Sequence, residues 1–355
     1  MQIEELLEIT VEAGASDLHL SVGLPPIIRV NGELLKTDRP VLTEGDVQQI
    51  IFSMLTNEQR REVEQNLELD CSLGIHGLGR FRVNVYKERG TYAAAMRTIS
   101  TETPTIEELG LPSIVREISE KQRGLCLVVG PTGSGKSTTL ASMVDHINRN
   151  KSVHILTIED PVEFVHTSKK SIVHQRELGG DTKSFANALR SALREDPDVI
   201  LVGELRDLET IQLAITAAET GHLVLGTLHT SSAAQTIDRI IDVFPAGQQQ
   251  QIRTQLSVSL IAVFAQTLIP KLDATGNKNG RVLAQEIMTI TPAIGNLIRE
   301  GKGAQIYSAI QTGTQYGMVT LESALKSLYD RRLISYEDAL ASTSRPEDLI
   351  KLLAI

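Results

Sequence analysis

Gly130-Pro131-Thr132-Gly133-Ser134-Gly135-Lys136-Ser137 follows the apolar run Leu125-Cys126-Leu127-Val128-Val129 and precedes Thr138-Thr139-Leu140-Ala141. The spacing is that of G-x-x-x-x-G-K-[ST], a phosphate loop joining a strand to a helix. Its glycines let consecutive backbone N–H groups turn around phosphate oxygens, where a Cβ would obstruct them. The helix that follows aims the positive end of its dipole at the same place. Lys136 offers a point charge to the β- and γ-phosphates, and Ser137 a hydroxyl to Mg²⁺. Residues 130–138 are therefore expected to bind a nucleoside triphosphate.

Hydrolysing the γ-phosphate also requires a carboxylate for the metal, a positioned water and compensation for spreading negative charge. Glu204, just beyond the apolar run Val199–Val202, is placed to hold Mg²⁺ directly or through its water shell. Here Gly203-Glu204 stands where such sites usually carry Asp, and Arg206 is close enough in sequence to neutralise the acid instead. Glu163, on a Pro-containing turn after the apolar run Val153–Ile158, is a candidate to polarise the attacking water, with Glu159 and Asp160 as competitors. His222 and His229 flank the run Leu223–Thr227, and an imidazole there can hydrogen-bond a γ-phosphate. Arg80, Arg82, Arg89 and Arg97 are candidates for an arginine supplied to a neighbouring subunit.

From about residue 124 the apolar strands alternate with helical segments, the pattern of a parallel α/β sheet. In such sheets ligands lie beyond the carboxyl ends of the strands, where these motifs fall. The stretch before it reads as a smaller α+β unit. Helices are expected over Ile3–Ala13, Thr43–Met54 and Thr56–Asn66, and strands over Asp17–Ser21, Ile27–Val30, Arg80–Tyr86 and Tyr92–Ile99. Asn31-Gly32 is expected to turn a hairpin. Residues 1–100 form the first domain on this reading, 101–112 a linker with two prolines, and 113–355 the second domain. Beyond residue 250 the chain reads as mostly helical: a long helix over Gln248–Gln266, a loop over Asp273–Gly280, then short helices including those of about 290–355.

The chain of 355 residues carries a formal charge of -9, which argues against whole-surface attraction to nucleic acid. Aromatic residues make up 3%, so few rings are available to stack single-stranded bases. Cys71 and Cys126 belong to no C-x-x-C pair, which points away from zinc and towards a reducing compartment. The acidic start MQIEELLEIT does not read as a signal peptide, and no apolar run approaches the roughly 18 residues of a spanning helix. The expectation is a cytoplasmic protein with no membrane insertion of its own.

Assembled, these motifs resemble the secretion ATPase superfamily, most of all its type IV pilus retraction (PilT) family. The likeness runs nearly end to end: Ala15-Ser16-Asp17-Leu18-His19-Leu20, the phosphate loop, Ile158–Phe164 as an Asp box, Arg194–Glu204 as Walker B, and Thr220–Thr230 as a His box. It implies a RecA-like core with C-terminal helices, preceded by a PAS-like α+β domain. It also implies ATP and Mg²⁺ as ligands, Glu163 as general base, Glu204 with Ser137 at the metal, and His222 and His229 as nucleotide sensors. A homo-hexamer is implied too, in which Arg82 and Arg97 approach a neighbour's site, together with an inner-membrane pilus platform protein as partner. Ala293–Glu300 resembles a segment needed for retraction, with Gly295 replacing the family's usual Arg. The family's extension and type II secretion relatives carry a tetracysteine element, which the two cysteines here do not form. Two other readings stay open at this stage: a DNA-translocating ATPase of related core, and a nucleotide-sensing regulatory subunit of another motor.

Overall fold

The protein is described by a computed structural model covering residues 1–30, 32–75, 77–100 and 102–354. Asn31 of the expected hairpin turn and Thr101 at the start of the expected linker lie outside the described residues. The chain divides into two compact units: Met1–Glu102 with Pro161–Val165 and Gly179–Asp181, and the remainder from Thr103 onward.

In the first unit the order is α1 (Ile3–Glu12), β1 (Asp17–Leu20), β2 (Ile27–Val30), β3 (Glu33–Lys36), α2 (Glu44–Met54), α3 (Asn57–Asn66), β4 (Glu68–Ile75), β5 (Gly79–Glu88) and β6 (Thr91–Ile99). The strands form one antiparallel sheet in the order β3-β2-β1-β6-β5-β4. Thr43 and Thr56 open α2 and α3 with capping boxes, closed by Asp46 and Gln59. Period-two alternation sends Phe81, Val83 and Val85 into the core and leaves Arg82 exposed on the other face.

The second unit begins with α4 (Ser113–Ser119), β7 (Gly124–Val129), α5 (Lys136–Asn150), β8 (His154–Glu159) and β9 (Ile172–Glu177). It continues through α6 (Phe185–Ala192), β10 (Val199–Val202), α7 (Leu208–Glu219), β11 (Leu223–Leu228), α8 (Ala233–Asp242) and α9 (Ala246–Ser259). Then come β12 (Leu260–Leu272), β13 (Lys278–Thr289), α10 (Pro292–Arg299), α11 (Ile306–Thr312), α12 (Leu321–Asp330), α13 (Tyr336–Ala341) and α14 (Pro346–Leu353). The sheet order is β13-β12-β7-β11-β10-β8-β9, parallel from β12 to β9. Every residue of β7, β10 and β11 is buried, as strands covered on both faces must be. Leu125, Leu127 and Val129 feed one core layer, and Cys126 and Val128 the other, where they meet Met143 and Ile147 of α5. Ile106 and Leu111, within the segment expected as linker, are buried in that second layer.

The C-terminal third departs from the expectation. The helix expected over Gln248–Gln266 stops at Ser259, and Leu260 begins a strand that pairs in parallel with β7. Leu260-Ile261-Ala262-Val263-Phe264-Ala265 is a continuous apolar run, which a buried strand and a buried helix share. Pairing against β7 decided between them. The expected loop narrows likewise, because Lys278 already belongs to β13. β12 and β13 form a long antiparallel arm in which Gln266 faces Gln285, Leu268 faces Leu283 and Pro270 faces Arg281. Those pairs share one face of the arm. On the other face Ile269 and Ala284 pack into a C-terminal core with Leu325, Leu328 and Leu349.

That second face also carries Glu286, whose Oε1 accepts a hydrogen bond of 2.7 Å from the Ala233 backbone N–H at the start of α8. Burial pushes the Glu286 carboxyl pKa above its ordinary value; the hydrogen bond opposes the shift and the charge of Glu322 adds to it. A raised folded-state pKa means that stability falls as pH rises through it. Glu286→Gln keeps the acceptor and removes the ionisation. Its melting temperature relative to the parent should therefore be higher at pH 8 than at pH 5, as read by scanning calorimetry at both values.

Candidate nucleotide site

The phosphate loop follows β7, and its backbone has little freedom. Gly130 has φ +146°, and a Cβ there would lie 2.4 Å from the Gln266 carbonyl oxygen and 2.6 Å from Ser134 Oγ. Gly133 and Gly135 also take positive φ. Ser134 Oγ is buried with no hydrogen-bond partner, a donor turned into the loop and unused by the protein. Gln266, opposite Gln285 on the arm, donates from Nε2 to Thr139 Oγ1 at 2.8 Å and so ties β12 to the first turns of α5. Sequence reading missed Gln266 because it was placed inside a helix. The apolar run just before it was the available signal.

Lys136 Nζ donates to the carbonyl oxygens of Gly130 at 2.8 Å and Pro131 at 3.0 Å, and lies 3.4 Å from His229 Nδ1. His229 Nε2 is 3.4 Å from Glu204 Oε1, and Glu204 Oε2 is 2.8 Å from Arg206 Nε. Arg206 in turn reaches Asp160 at 3.6 Å. The chain Lys136–His229–Glu204–Arg206–Asp160 crosses the ends of β7, β11, β10 and β8 in their spatial order. Burial lowers the Lys136 pKa and the charge of Glu204 opposes that shift. Lys136 thus satisfies itself on two neutral loop carbonyls, while Arg206 bridges the Glu204 and Asp160 carboxylates. A phosphate would offer Lys136 a stronger, charge-assisted partner.

Glu204 is held by its turn. Gly203 packs so closely on the end of β8 that a Cβ would be 3.2 Å from Glu159 Cα, and Thr227 Oγ1 donates to the Gly203 carbonyl. The Leu205 N–H reaches the Thr227 carbonyl at 3.0 Å. Glycine before the acid is therefore what lets the strand end pass its neighbour. For Mg²⁺ the donors fit: Ser137 is exposed at the start of α5 and Glu204 is partly exposed at the adjoining edge. Mg²⁺ commonly uses one or two protein oxygens and takes the rest from phosphates and water.

Of the three candidate bases, Glu159 accepts from Thr157 Oγ1 at 2.7 Å and Gln175 Nε2 at 3.2 Å, and Asp160 faces Arg206. Glu163 is exposed and belongs to the first unit. His222 requires a correction. It precedes β11, its Nδ1 lies 2.9 Å from the Ala217 carbonyl, and its own carbonyl accepts from Gly124 N–H at the start of β7. Parallel pairing therefore puts it at the amino edge of the sheet, about 20 Å from the phosphate loop of its own chain at 3.3 Å per residue. Only His229 belongs to that loop's surroundings.

In the first unit two of the four candidate arginines, Arg82 and Arg97, fall in one cross-strand row, whereas Arg80 pairs with Ile99 and Arg89 lies in the turn between β5 and β6. Arg29, Asp17, Arg97, Arg82 and Ser72 are successive register partners on β2, β1, β6, β5 and β4. Arg97 Nε donates to Asp17 Oδ1 at 2.9 Å, and Arg29 stands 3.9 Å from the same carboxylate. Although burial opposes it, the Ser16 hydroxyl and Arg97 hold the Asp17 pKa below the usual range. Arg82 and Arg97 are like charges directly opposite, an arrangement that costs stability unless an anion meets it. Arg80 donates to Ser72 Oγ at 2.8 Å. Near the other end of the chain, Gly295 lets α10 approach α9, since a Cβ there would lie 3.1 Å from the Ser257 carbonyl.

A profile of the family described as Type II/IV secretion system protein matches residues 2–337. The type IV pilus retraction ATPase PilT of Pseudomonas aeruginosa is 55% identical over 98% of this chain and 100% of its own. A twitching motility protein of Neisseria gonorrhoeae is 52% identical over 91% of this chain and 86% of its own. Among solved structures, the pilus retraction motor PilT with bound ADP superposes with a TM-score of 0.91 at 49% identity, covering 99% of both chains.

Gly130→Ala and Gly133→Ala separate packing from backbone strain. The first forces the loop away from Gln266 and should abolish ADP binding in titration calorimetry. The second has no neighbour within 4 Å and meets only the left-handed cost of its φ of +76°. It should weaken ADP by about tenfold, the equivalent of the roughly 1–2 kcal/mol of that conformation.

Proposed function

We propose, for a chain that belongs to the Type II/IV secretion system protein family, that it is an ATP-hydrolysing motor of type IV pilus retraction. One observation carries the chemistry: Lys136, His229 and Glu204 form a connected row across the strand ends that border the phosphate loop. The likeness to a retraction ATPase over nearly the whole chain supports the biological task.

With ATP bound, the loop N–H groups and Lys136 hold the phosphates, and His229 faces the terminal group. Ser137 and Glu204, the latter directly or through water, would hold Mg²⁺, which would supply charge neutralisation at the phosphates. Glu163 takes the proton of the attacking water as the bond between the γ-phosphorus and its bridging oxygen breaks, releasing ADP and phosphate. Glu159 and Asp160 are less suited, since both carboxylates already have partners. Arg82 and Arg97 serve the site of a neighbouring subunit in a homo-hexamer, which the juxtaposition of the two guanidinium groups, with Asp17 bonded to Arg97, supports.

Turnover then rotates each N-terminal unit about the connection at the Glu102–Thr103 boundary, ahead of the packed Ile106 and Leu111, a hinge-type transition. Force passes to an inner-membrane pilus platform protein. Among the described residues no helix is long and apolar enough to cross a membrane, and the motor works from the cytoplasm through that partner.

Lys136→Ala should lose ADP binding and ATPase activity together. Glu204→Gln should keep ADP binding and lose at least about 100-fold in phosphate release, within the range for groups that stabilise this transition state. EDTA should abolish turnover by the parent protein. Undiminished phosphate release by either variant would remove the assignment. Arg97→Ala should lower kcat by about 10³-fold while ADP affinity stays within a factor of two, read by titration calorimetry alongside phosphate release.

A further inference from the structure

We infer that Glu286, on β13, is a positioning residue for hydrolysis: it anchors the far end of a strap, residues 229–232, and so sets where His229 stands against the terminal phosphate. The inference rests on the reading above in which His229 faces that phosphate, and extends it to a residue outside every motif. Leu228, Val129, Ala265 and Glu286 are successive register partners on β11, β7, β12 and β13. They stand at one level of the sheet, where β11 and β7 both end and the site begins.

The strap leaves β11 at one end of this row and reaches Glu286 at the other. Its last residue, Ser232, is the N-cap of α8, and the Ala233 N–H that follows donates to Glu286 Oε1 at 2.7 Å. Ala233 and Ile237 of α8 pack with Leu228, Val129 and Ala265 in one core layer, so strap and helix lie over a single face of the sheet. Three strand spacings, about 14 Å, separate Leu228 from Glu286. Four residues reach at most about 14 Å when fully extended. The strap therefore has little slack, and a shift at Glu286 is passed on to His229. Two side-chain contacts join the strap to α8: Thr230 Oγ1 lies 2.7 Å from Thr236 Oγ1, and Ser231 Oγ donates to Gln235 Oε1 at 2.7 Å.

A buried carboxyl is a poor choice for stability alone. Helix α8 already has a cap of its own, since Ser232 Oγ accepts from the Gln235 N–H at 3.3 Å. Glu286 is 5% exposed, and the charge of Glu322 acts on it as well, so its ionised form is disfavoured twice over. What the carboxyl adds is a directional bond to one backbone N–H, and that N–H ends the strap that carries His229. At the near end the imidazole lies 3.4 Å from Lys136 Nζ and 3.4 Å from Glu204 Oε1. Both contacts are long, so a small displacement of the strap changes each of them.

The test asks whether Glu286 acts through His229. Glu286→Met keeps a side chain of similar length and removes the acceptor, whereas Glu286→Gln keeps the acceptor. Phosphate release gives kcat, and titration calorimetry gives the dissociation constant of ADP, which lacks the terminal phosphate. Glu286→Met should lower kcat by about 10- to 100-fold, the scale of a misplacement near 1 Å, and leave ADP binding within a factor of two. Glu286→Gln should return kcat to within a factor of two of the parent. His229→Ala should itself slow turnover about 100-fold, and adding Glu286→Met to it should cost nothing more, since the group being positioned is gone. Additive losses in the double variant overturn the inference, as does a parent-like kcat in Glu286→Met or a Glu286→Gln as slow as Glu286→Met. Loss of ADP binding in step with kcat overturns it too, because Glu286 then braces the whole site. Undiminished turnover by His229→Ala would instead remove the reading of His229 beneath it, and the inference with it.

Discussion

Parallel pairing of β7, β11, β10 and β8 is the constraint on which the site depends. Strands that run the same way present all their carboxyl ends at one edge, so loops far apart in sequence become neighbours. The phosphate loop, His229, Glu204 and Asp160 reach that edge from four different strands, and their contacts follow the order of the sheet. The strands can run this way because each is apolar on both faces and lies between two layers of helices. Core packing and site geometry are here one arrangement seen from two ends.

Electrostatics at the edge is self-contained. Lys136 uses loop carbonyls, Glu204 uses Arg206 and His229, and Asp160 uses the far side of Arg206. A site so arranged keeps its buried and half-buried charges partnered, which avoids the large cost of leaving one alone. The same partners are exchangeable for phosphate oxygens and Mg²⁺. Binding a nucleotide and releasing this row are therefore coupled steps. In the first unit the row Arg29–Asp17–Arg97–Arg82 has one carboxylate among three guanidinium groups, an excess of positive charge that suits an anionic partner.

The β12–β13 arm links the nucleotide site to the end of the chain. Gln266, Leu268 and Arg281 lie on the face towards the phosphate loop, while Ile269, Ala284 and Glu286 lie on the face towards α8 and the C-terminal helices. The segment Ala293–Glu300 follows directly on β13, and Gly295 sets how closely its helix meets α9.

By itself the sequence determined the local chemistry: a glycine-rich loop after an apolar strand, the acid after Val202, the Thr caps of α2 and α3, and the alternation that exposes Arg82. These are legible because each depends on residues within a few positions of one another. Tertiary structure decided what depends on partners distant in sequence. Leu260–Ala265 is strand because β7 offers an edge to pair with, and no periodicity within the run records that. His222 and His229 look equivalent beside one strand, yet strand direction sends them to opposite edges of the sheet. Gln266 and Arg281 enter the site only because the arm runs past the loop, a placement set by strand pairing and invisible to any local pattern.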